Sequence, residues 1–451
     1  MNERVGPAGP SAASVLSRAR LAALTDGEVP ALLRTAGDAH PGLALPRALV
    51  IQTGARRGYV VPRMLEEAGM LESFHTTAAR HEARGDAVFA LARRILPHKA
   101  DAFDRRTVRG IQARRLFAHP SADLARFLVR RNTGDRVAAR RAMSTVLGWA
   151  MAPAVRETHA NIVLSVDGSG GPALLRALKA KGLPIVVDIA TTPRALEITD
   201  AARTAWPDWA DEAPSPAERA GFLAWYETIV GLADLVLYPS APVLDGLQTL
   251  AAFDIARARH VPYTWGRPVV AAPDPIPGRI LFAGSGALRK GLPVLAEATH
   301  ILRAAGHAVD VVVAGALSPP IRARAAASGL TPLGHLGPDA MAAEMAKADL
   351  FTLPSLAEGT AAVVLEALAT GVPAIVTRAA GAPVVHGESG LIVPERNPAA
   401  LAGAIAALLT DRPRRDRMAA AARESRAGFA PAAVKDRLVA ALATALREQR
   451  R

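Results

Sequence analysis

Short apolar runs of strand length alternate with longer helical patterns through most of the chain. In the first half, strands are predicted for ALVIQT, beginning at Arg47, and for Ile162 to Val166, Ile185 to Ile189 and Leu235 to Tyr238. Helices are predicted from about Val61 to Ala68 and from Leu174 to Ala180, and Thr76 to Trp149 reads as mainly helical. The second half alternates more clearly. Strands at Arg279 to Ala283, Val309 to Ala314, Leu333 to Leu336, Leu350 to Leu353, Ala374 to Thr377 and Leu391 to Val393 are separated by helices. Those helices run over Gly291 to Ala305, Pro319 to Ala327, Asp339 to Lys347, Ala361 to Thr370 and Pro398 to Leu409, and Arg412 to Arg451 is helical by composition. Such alternation argues for parallel sheets covered on both faces.

A stretch with Pro268, Pro273, Pro275 and Pro277 divides the two halves and has the composition of a semi-rigid linker. The expected organisation is a tail or helical extension over 1–45, a first α/β domain over 46–266 and a linker over 267–278. A second α/β domain follows over 279–425 and a C-terminal helix over 426–451, with a cleft between the domains. At 451 residues, two domains are the default.

One unit stands out in the second domain. The strand ending at Leu353 leads through Pro354-Ser355-Leu356-Ala357-Glu358-Gly359 into a helix that Thr360 is placed to cap, with Gly371 and Pro373 ending it. Apolar neighbours surround Glu366, so that carboxylate needs a partner. It is either a buried ion-pair partner or part of a ligand site. In the second case, N–H groups from Gly359 to Ala362 attract an anion while Glu358 and Glu366 accept from hydroxyls beside it.

Composition narrows the alternatives. The chain has no cysteine, which excludes disulfides, thiolate metal sites and cysteine nucleophiles and fits a reducing compartment. Arg18 and Arg20 break the apolar character of the N-terminus, and no window approaches the roughly 20 apolar residues of a membrane span, so a cytoplasmic protein is expected. The formal charge is +13, and His81 to Arg141 holds about fifteen Arg and Lys against about six Asp and Glu. Aromatic residues hardly interleave there, which disfavours nucleic acid as the partner. Attraction to anionic lipid or to a phosphate-bearing acceptor is preferred over a merely solvated helical surface.

A second small-residue turn follows the first strand of the second domain: Gly284-Ser285-Gly286-Ala287-Leu288-Arg289-Lys290-Gly291. Its glycines let a ligand approach the backbone, and Arg289 and Lys290 can neutralise a diphosphate. The spacing is not that of a P-loop. In a parallel sheet, the carboxyl ends of this strand and of Leu350 to Leu353 can both face the cleft.

Together these residues resemble the retaining group 1 glycosyltransferases of family 4. The Glu-x7-Glu signature is met by Glu358 and Glu366, the glycine and Arg-Lys-Gly element by Gly284 to Gly291, and a later turn by HGESGLIVP. In the first half GARRGY, DGSGG, ADLVLYPS and VPYTWG look like the family's acceptor-side turns and return to the linker. The resemblance implies a GT-B fold, two Rossmann-like domains facing across a cleft. It also implies transfer of a sugar from a nucleotide-sugar donor to a glycan, polysaccharide or lipid-linked acceptor, without metal or cofactor.

By resemblance, Lys290 and Arg289 hold the donor diphosphate, and Glu358 with N–H groups of Gly359, Thr360 and Ala361 grips the sugar and distal phosphate. Glu366 accepts from the ribose diol, Gly284 and Ser285 lie against the donor, and Leu336, in the Gly334 to Gly337 segment, borders the base. Gly54, Arg56, Arg57 and Gly58 fall on the acceptor side. Peripheral contact with the inner face of an anionic membrane is expected. Many relatives have Arg where this chain has Ser285, and His where it has Ala190. These departures motivate the alternative, a non-catalytic GT-B scaffold that binds a sugar nucleotide or glycan.

Overall fold

Residues of β1 (Ala48–Gln52) point alternately into two different cores, which is why the whole strand is buried. Ala48 and Val50 pack with Tyr59, Leu65 and Phe74 on one face. Leu49 and Ile51 pack with Leu147, Met151, Leu175 and Ile229 on the other. A strand covered on both faces needs apolar side chains at every position, the pattern of a parallel sheet under two helical layers. The computed structural model describes residues 45–83, 94, 106–210, 213–265 and 273–449. The predicted tail to residue 44 and the linker from 267 to 272 lie outside the described residues.

The first domain is built on a parallel sheet of order β5-β2-β1-β6-β7-β8-β9. Its other strands are β2 (Leu71–Thr76), β5 (Leu116–Ala118), β6 (Ile162–Val166), β7 (Ile185–Asp188), β8 (Leu235–Tyr238) and β9 (Ala258–His260). A short parallel pair, β3 (Arg80–His81) and β4 (Thr107–Val108), stands apart. The mainly helical reading of Thr76 to Trp149 is therefore corrected: β3, β4 and β5 fall within it, and β2 ends at its first residue. These strands are too short to show a period against the surrounding Ala and Arg. The helices Pro120–Thr133 and Arg136–Glu157 do fill the rest of that stretch's described part after Ala118.

The second domain carries a parallel sheet of order β12-β11-β10-β13-β14-β15. Here β10 (Arg279–Ala283) and β13 (Leu350–Leu353) are direct neighbours, so their carboxyl ends lie side by side. The remaining strands are β11 (Asp310–Ala314), β12 (Thr331–Gly334), β14 (Ala374–Thr377) and β15 (Gly390–Val393). β12 ends two residues before the predicted strand end, because Gly334 takes φ of 75° and turns the chain.

Two segments cross between domains. The helix Pro431–Gln449 returns to the first domain, where Val434, Leu438 and Leu442 complete the core around Val50 and Tyr59. Conversely, Trp209 of the first domain is buried in the core of the second. Near it the Trp206 indole donates to Glu297 at 2.6 Å, and Arg324 pairs with Asp208 at 2.6 Å. Among the described residues no helix is long and apolar enough to cross a membrane.

Candidate functional site

The turn after β10 and the turn after β13 meet because the strands are adjacent and two glycines permit the approach. Gly291 has φ of 75°, and a Cβ there would collide with the Pro354 carbonyl group at the end of β13. Gly284 has φ of 158°, and a Cβ there would occupy the space where the Lys290 aliphatic chain folds back. The Leu356 N–H donates to the Arg289 carbonyl at 2.8 Å, fastening the two turns together.

Their side chains converge on one carboxylate. Oε1 of Glu358 accepts from Lys290 Nζ at 2.8 Å and pairs with Arg289 Nη1 at 2.6 Å. The same Arg289 nitrogen also donates to the Ala357 carbonyl at 2.9 Å. Glu358 is 8% exposed. Burial pushes its carboxyl up, but the Lys290 and Arg289 charges outweigh burial and hold it below the usual carboxylate range. Glu358 stays ionised at neutral pH and fixes two cations, leaving the group with a net positive charge.

The helix after this turn is Ala362–Thr370, and its first N–H groups have no intrahelical acceptor. The expected Thr360 cap is not present. Ala361 is the N-cap residue and supplies no side-chain bond, while the Thr360 hydroxyl donates at 3.4 Å to the Pro239 carbonyl of the other domain. That carbonyl competes for the hydroxyl. The Ala361 N–H is not free either, since it donates to the Ala380 carbonyl at 3.0 Å. The expected row of free donors from Gly359 to Ala362 is shorter by that one. Glu366 lies half-buried in the second turn of the helix.

Ser285 uses its hydroxyl to accept from the Ala316 N–H at 3.3 Å. Leu336 lies just past β12, half-buried against the core of the second domain.

The first domain closes on the Glu358 turn directly. The Ser240 hydroxyl donates to the Gly359 carbonyl, and Gly359 is packed against the backbone of Ala190 and Thr191 after β7. In the sequence Pro239-Ser240 read as a strand end, within the ADLVLYPS segment that resembles an acceptor-side turn, and not as a contact to the second domain. Its partner is a backbone carbonyl 119 residues away, and no local pattern encodes that pairing.

The acceptor-side residues diverge in placement. Arg57, in a left-handed conformation, pairs with Asp188 and lies 3.8 Å over the Tyr263 ring, so its cation is committed within the first domain. Gly58 is exposed, and the Arg56 side chain lies outside the described residues. Gly54 lines a cavity of about 380 Å³ at the carboxyl ends of β1 and β6. Arginines from the segment whose charge excess was noted above line the same cavity. Their convergence was missed in the sequence, although Arg126 and Arg130, then Arg136 and Arg140, repeat at helical i,i+4 spacing.

Comparison with known proteins agrees with this architecture. Residues 277–411 match the family model described as Glycosyl transferases group 1. A D-inositol 3-phosphate glycosyltransferase of Corynebacterium diphtheriae is 37% identical over 103 residues, 22% of this chain and 24% of that protein. The GDP-mannose-dependent alpha-(1-6)-phosphatidylinositol monomannoside mannosyltransferase of Mycobacterium tuberculosis is 36% identical over 151 residues, 30% of this chain and 39% of that one. The chain thus matches between about a quarter and two-fifths of the length of these relatives.

Among solved structures, HepE of Anabaena with UDP and glucose superimposes with a TM-score of 0.54 at 12% identity, covering 88% of this chain and 98% of that one. Sucrose-phosphate synthase of Thermosynechococcus elongatus gives 0.55 at 14% identity, with 86% and 95% covered. WaaG, a glycosyltransferase involved in lipopolysaccharide biosynthesis, gives 0.53 at 14% identity, with 87% and 98% covered. The fold is GT-B, and residues 277–411 within it match the group 1 glycosyltransferase model.

Proposed function

We propose that the protein transfers a sugar from a nucleotide-sugar donor to a glycan, polysaccharide or lipid-linked acceptor, with retention of configuration and without a metal ion. The observation that carries this reading is the meeting of Arg289, Lys290 and Glu358 beside a helix N-terminus, at the contact between the two domains. Relatives named for transfer from GDP-mannose and to inositol phosphates support the donor and acceptor classes.

The leaving group in such a transfer is a nucleoside diphosphate, and its charge grows as the glycosidic bond breaks. Lys290 and Arg289 lie ready to neutralise that charge, the task a metal ion would otherwise perform, and the first turn of Ala362–Thr370 adds partial positive charge. Glu358 keeps both cations in place before the donor arrives and also takes hydroxyls of the transferred sugar. Glu366 takes the ribose diol, Gly284 and Ser285 let the diphosphate approach the backbone, and Leu336 borders the base. The protein then contributes positioning and leaving-group stabilisation, with a donor phosphate oxygen receiving the acceptor proton on the same face.

The acceptor enters from the first domain past Gly54, Arg56, Arg57 and Gly58. Leu124, Phe127 and Leu128 are 57%, 57% and 48% exposed on the helix Pro120–Thr133, interleaved with Arg126, Arg130 and Arg131. This supports peripheral contact with an anionic membrane through that helix.

The test is a thermal-shift panel of UDP-, GDP- and ADP-sugars. One nucleotide class should stabilise the protein. Loss of a charge-assisted contact in Lys290→Ala should weaken that binding by about 1.5–3 kcal/mol, and Glu366→Ala should weaken it too. No shift with any sugar nucleotide would remove the proposal's basis. Donor stabilisation without slow donor hydrolysis would favour the non-catalytic scaffold.

A further inference from the structure

The cavity at the carboxyl ends of β1 and β6 is lined by five arginines, Arg106, Arg126, Arg130, Arg136 and Arg140, against two carboxylates, Asp123 and Asp167. Three positive charges are thus left over around about 380 Å³. Asp123 is spent on Arg106, its close partner, and on Arg126 at 3.4 Å. Burial pushes the Asp123 carboxyl up, but its bonds from Arg106 prevail and hold it low, so it remains an anion. Asp167 accepts from the Tyr226 hydroxyl at 2.9 Å and lies 3.7 Å from Arg140. Arg130 forms no ion pair among the described residues, and Arg136 answers only to Glu218, a carboxylate outside the cavity lining that accepts from its backbone N–H at 2.9 Å.

Two donors in the wall are incompletely used. Nη1 of Arg140 and Nε1 of Trp225 are buried without a hydrogen-bond partner, and the Arg140 guanidinium lies 5.5 Å from the Trp225 ring centroid. Arginines brought together by folding repel one another unless an anion joins them. Their planar forks match the oxygens of a phosphate better than those of a neutral polyol.

The cavity also has the right address. Open parallel sheets bind ligands outside the carboxyl ends of their strands, and here Thr53 and Gly54 follow β1 while Asp167 to Ser169 follow β6. β6 pairs with β7, and the residues after β7 touch the Glu358 turn through Gly359. Adjacent strands lie about 4.8 Å apart, so a ligand anchored among the arginines extends toward the donor residues within a few strand spacings.

We infer that this arginine-lined cavity is a phosphate-ester site: the molecule that receives the sugar carries a phosphate held by Arg130, Arg136 and Arg140. Calling that molecule the acceptor rests on the proposed transferase reading; the phosphate site itself does not. The phosphate belongs either to a soluble phosphorylated polyol or to a lipid headgroup, since both present the same oxygens.

The test uses the full chain without any donor. Binding of sn-glycerol 3-phosphate is measured by calorimetry and compared with glycerol. Vesicles of phosphatidylcholine with and without phosphatidylglycerol form the second arm. Wild type should bind the phosphate ester in at least one arm and ignore glycerol and pure phosphatidylcholine. Arg130→Gln/Arg136→Gln and Arg140→Gln should each lose at least tenfold in that arm, while the donor-induced thermal shift keeps its wild-type size as evidence of folding. Arginine-dependent binding in the soluble arm identifies a free phosphate ester as the source; arginine dependence confined to vesicles identifies a headgroup. Absence of binding in both arms, or binding equal in wild type and all variants, overturns the inference. A protein that binds the phosphate ester through these arginines but no sugar nucleotide keeps the site and loses the transferase reading.

Discussion

Gly359 packs directly against the backbone of the first domain, and replacing it with alanine measures what the closed contact is worth. Its φ lies outside the left-handed region, so alanine suits the backbone and the perturbation is purely steric. The new Cβ would sit 2.8 Å from the Ala190 carbonyl carbon and 3.5 Å from the Thr191 Cα. The Ala190 carbonyl oxygen lies closer still, and unstrained carbon pairs lie at about 3.5–4.0 Å, so the turn must retreat by more than about 1 Å. Both obstructing groups are backbone at the end of β7 and cannot rotate away.

Overpacking of this kind costs about 1–3 kcal/mol. Withdrawal also stretches the bonds from Ser240 to the Gly359 carbonyl and from Thr360 to the Pro239 carbonyl, each worth about 1 kcal/mol net, and losing half of each adds about 1 kcal/mol. A closed state disfavoured by about 2–4 kcal/mol slows a reaction that needs both domains by roughly 30-fold to 10³-fold. Donor affinity should also fall, because the retreating turn carries Glu358 and Gly359 of the proposed donor site, but by less than the rate of transfer. The assay is the initial rate of sugar transfer beside donor affinity, with small-angle scattering to detect the opened form. Gly403→Ala, where nothing lies within 4 Å of the added Cβ, is the control. Wild-type turnover in Gly359→Ala would refute the claim that this contact belongs to the working geometry.

Acid should destabilise the protein through His75, which is fully buried, with ring nitrogens 3.2 Å from His119 and from Ser73. Burial and then the neighbouring His119 lower its pKa to about 3. The unfolded chain takes up a proton as pH falls through about 6.5 while the folded one does not until near pH 3, so stability falls across that window. Between pH 7 and 5 His75 alone should remove about 2 kcal/mol. Urea titrations should show a smaller decline in His75→Gln; an equal decline would reject the assignment. Glu358 has the opposite sign, since a depressed carboxylate stabilises above its unfolded pKa and loses that contribution as pH falls through its lower folded pKa. Its loss should therefore appear only in more acidic solution than that of His75. Arg415→Ala should cost about 3–5 kcal/mol, because it strands Asp349, 5% exposed, which otherwise accepts from Arg415 at 2.9 Å and from the Gly278 N–H at 3.0 Å. A urea midpoint within error of wild type would contradict that estimate.

Much of the second domain was legible because each strand there is bounded by strong punctuation. β13 and β14 start and stop where their apolar runs do, and the helix Pro319–Ala327 begins at its proline. That the Glu358 and Arg289-Lys290 turns share one end of the sheet was legible, since both follow strands of a parallel sheet. Their direct ion pairs depend on β10 lying beside β13, which sequence order does not state. The first domain was less legible. β5 is only three residues long, β2 carries Glu72, Ser73 and His75 within its run, and the last helix belongs to that core although about 150 residues of the second domain intervene. The arginine cavity was visible only as a charge excess. Direction and convergence of side chains follow from packing the helix Pro120–Thr133 on Arg136–Glu157, and no charge count reveals them.

The central claim is that Lys290 and Arg289, held in place by Glu358, stabilise a departing nucleoside diphosphate. The most direct measurement is nucleoside diphosphate release from the sugar nucleotide that best stabilises the protein, at saturating donor, in wild type and Lys290→Ala. The account predicts measurable release by wild type and a fall of about 10²-fold or more in the variant. Release at the same rate in both, or from no sugar nucleotide at all, would contradict it.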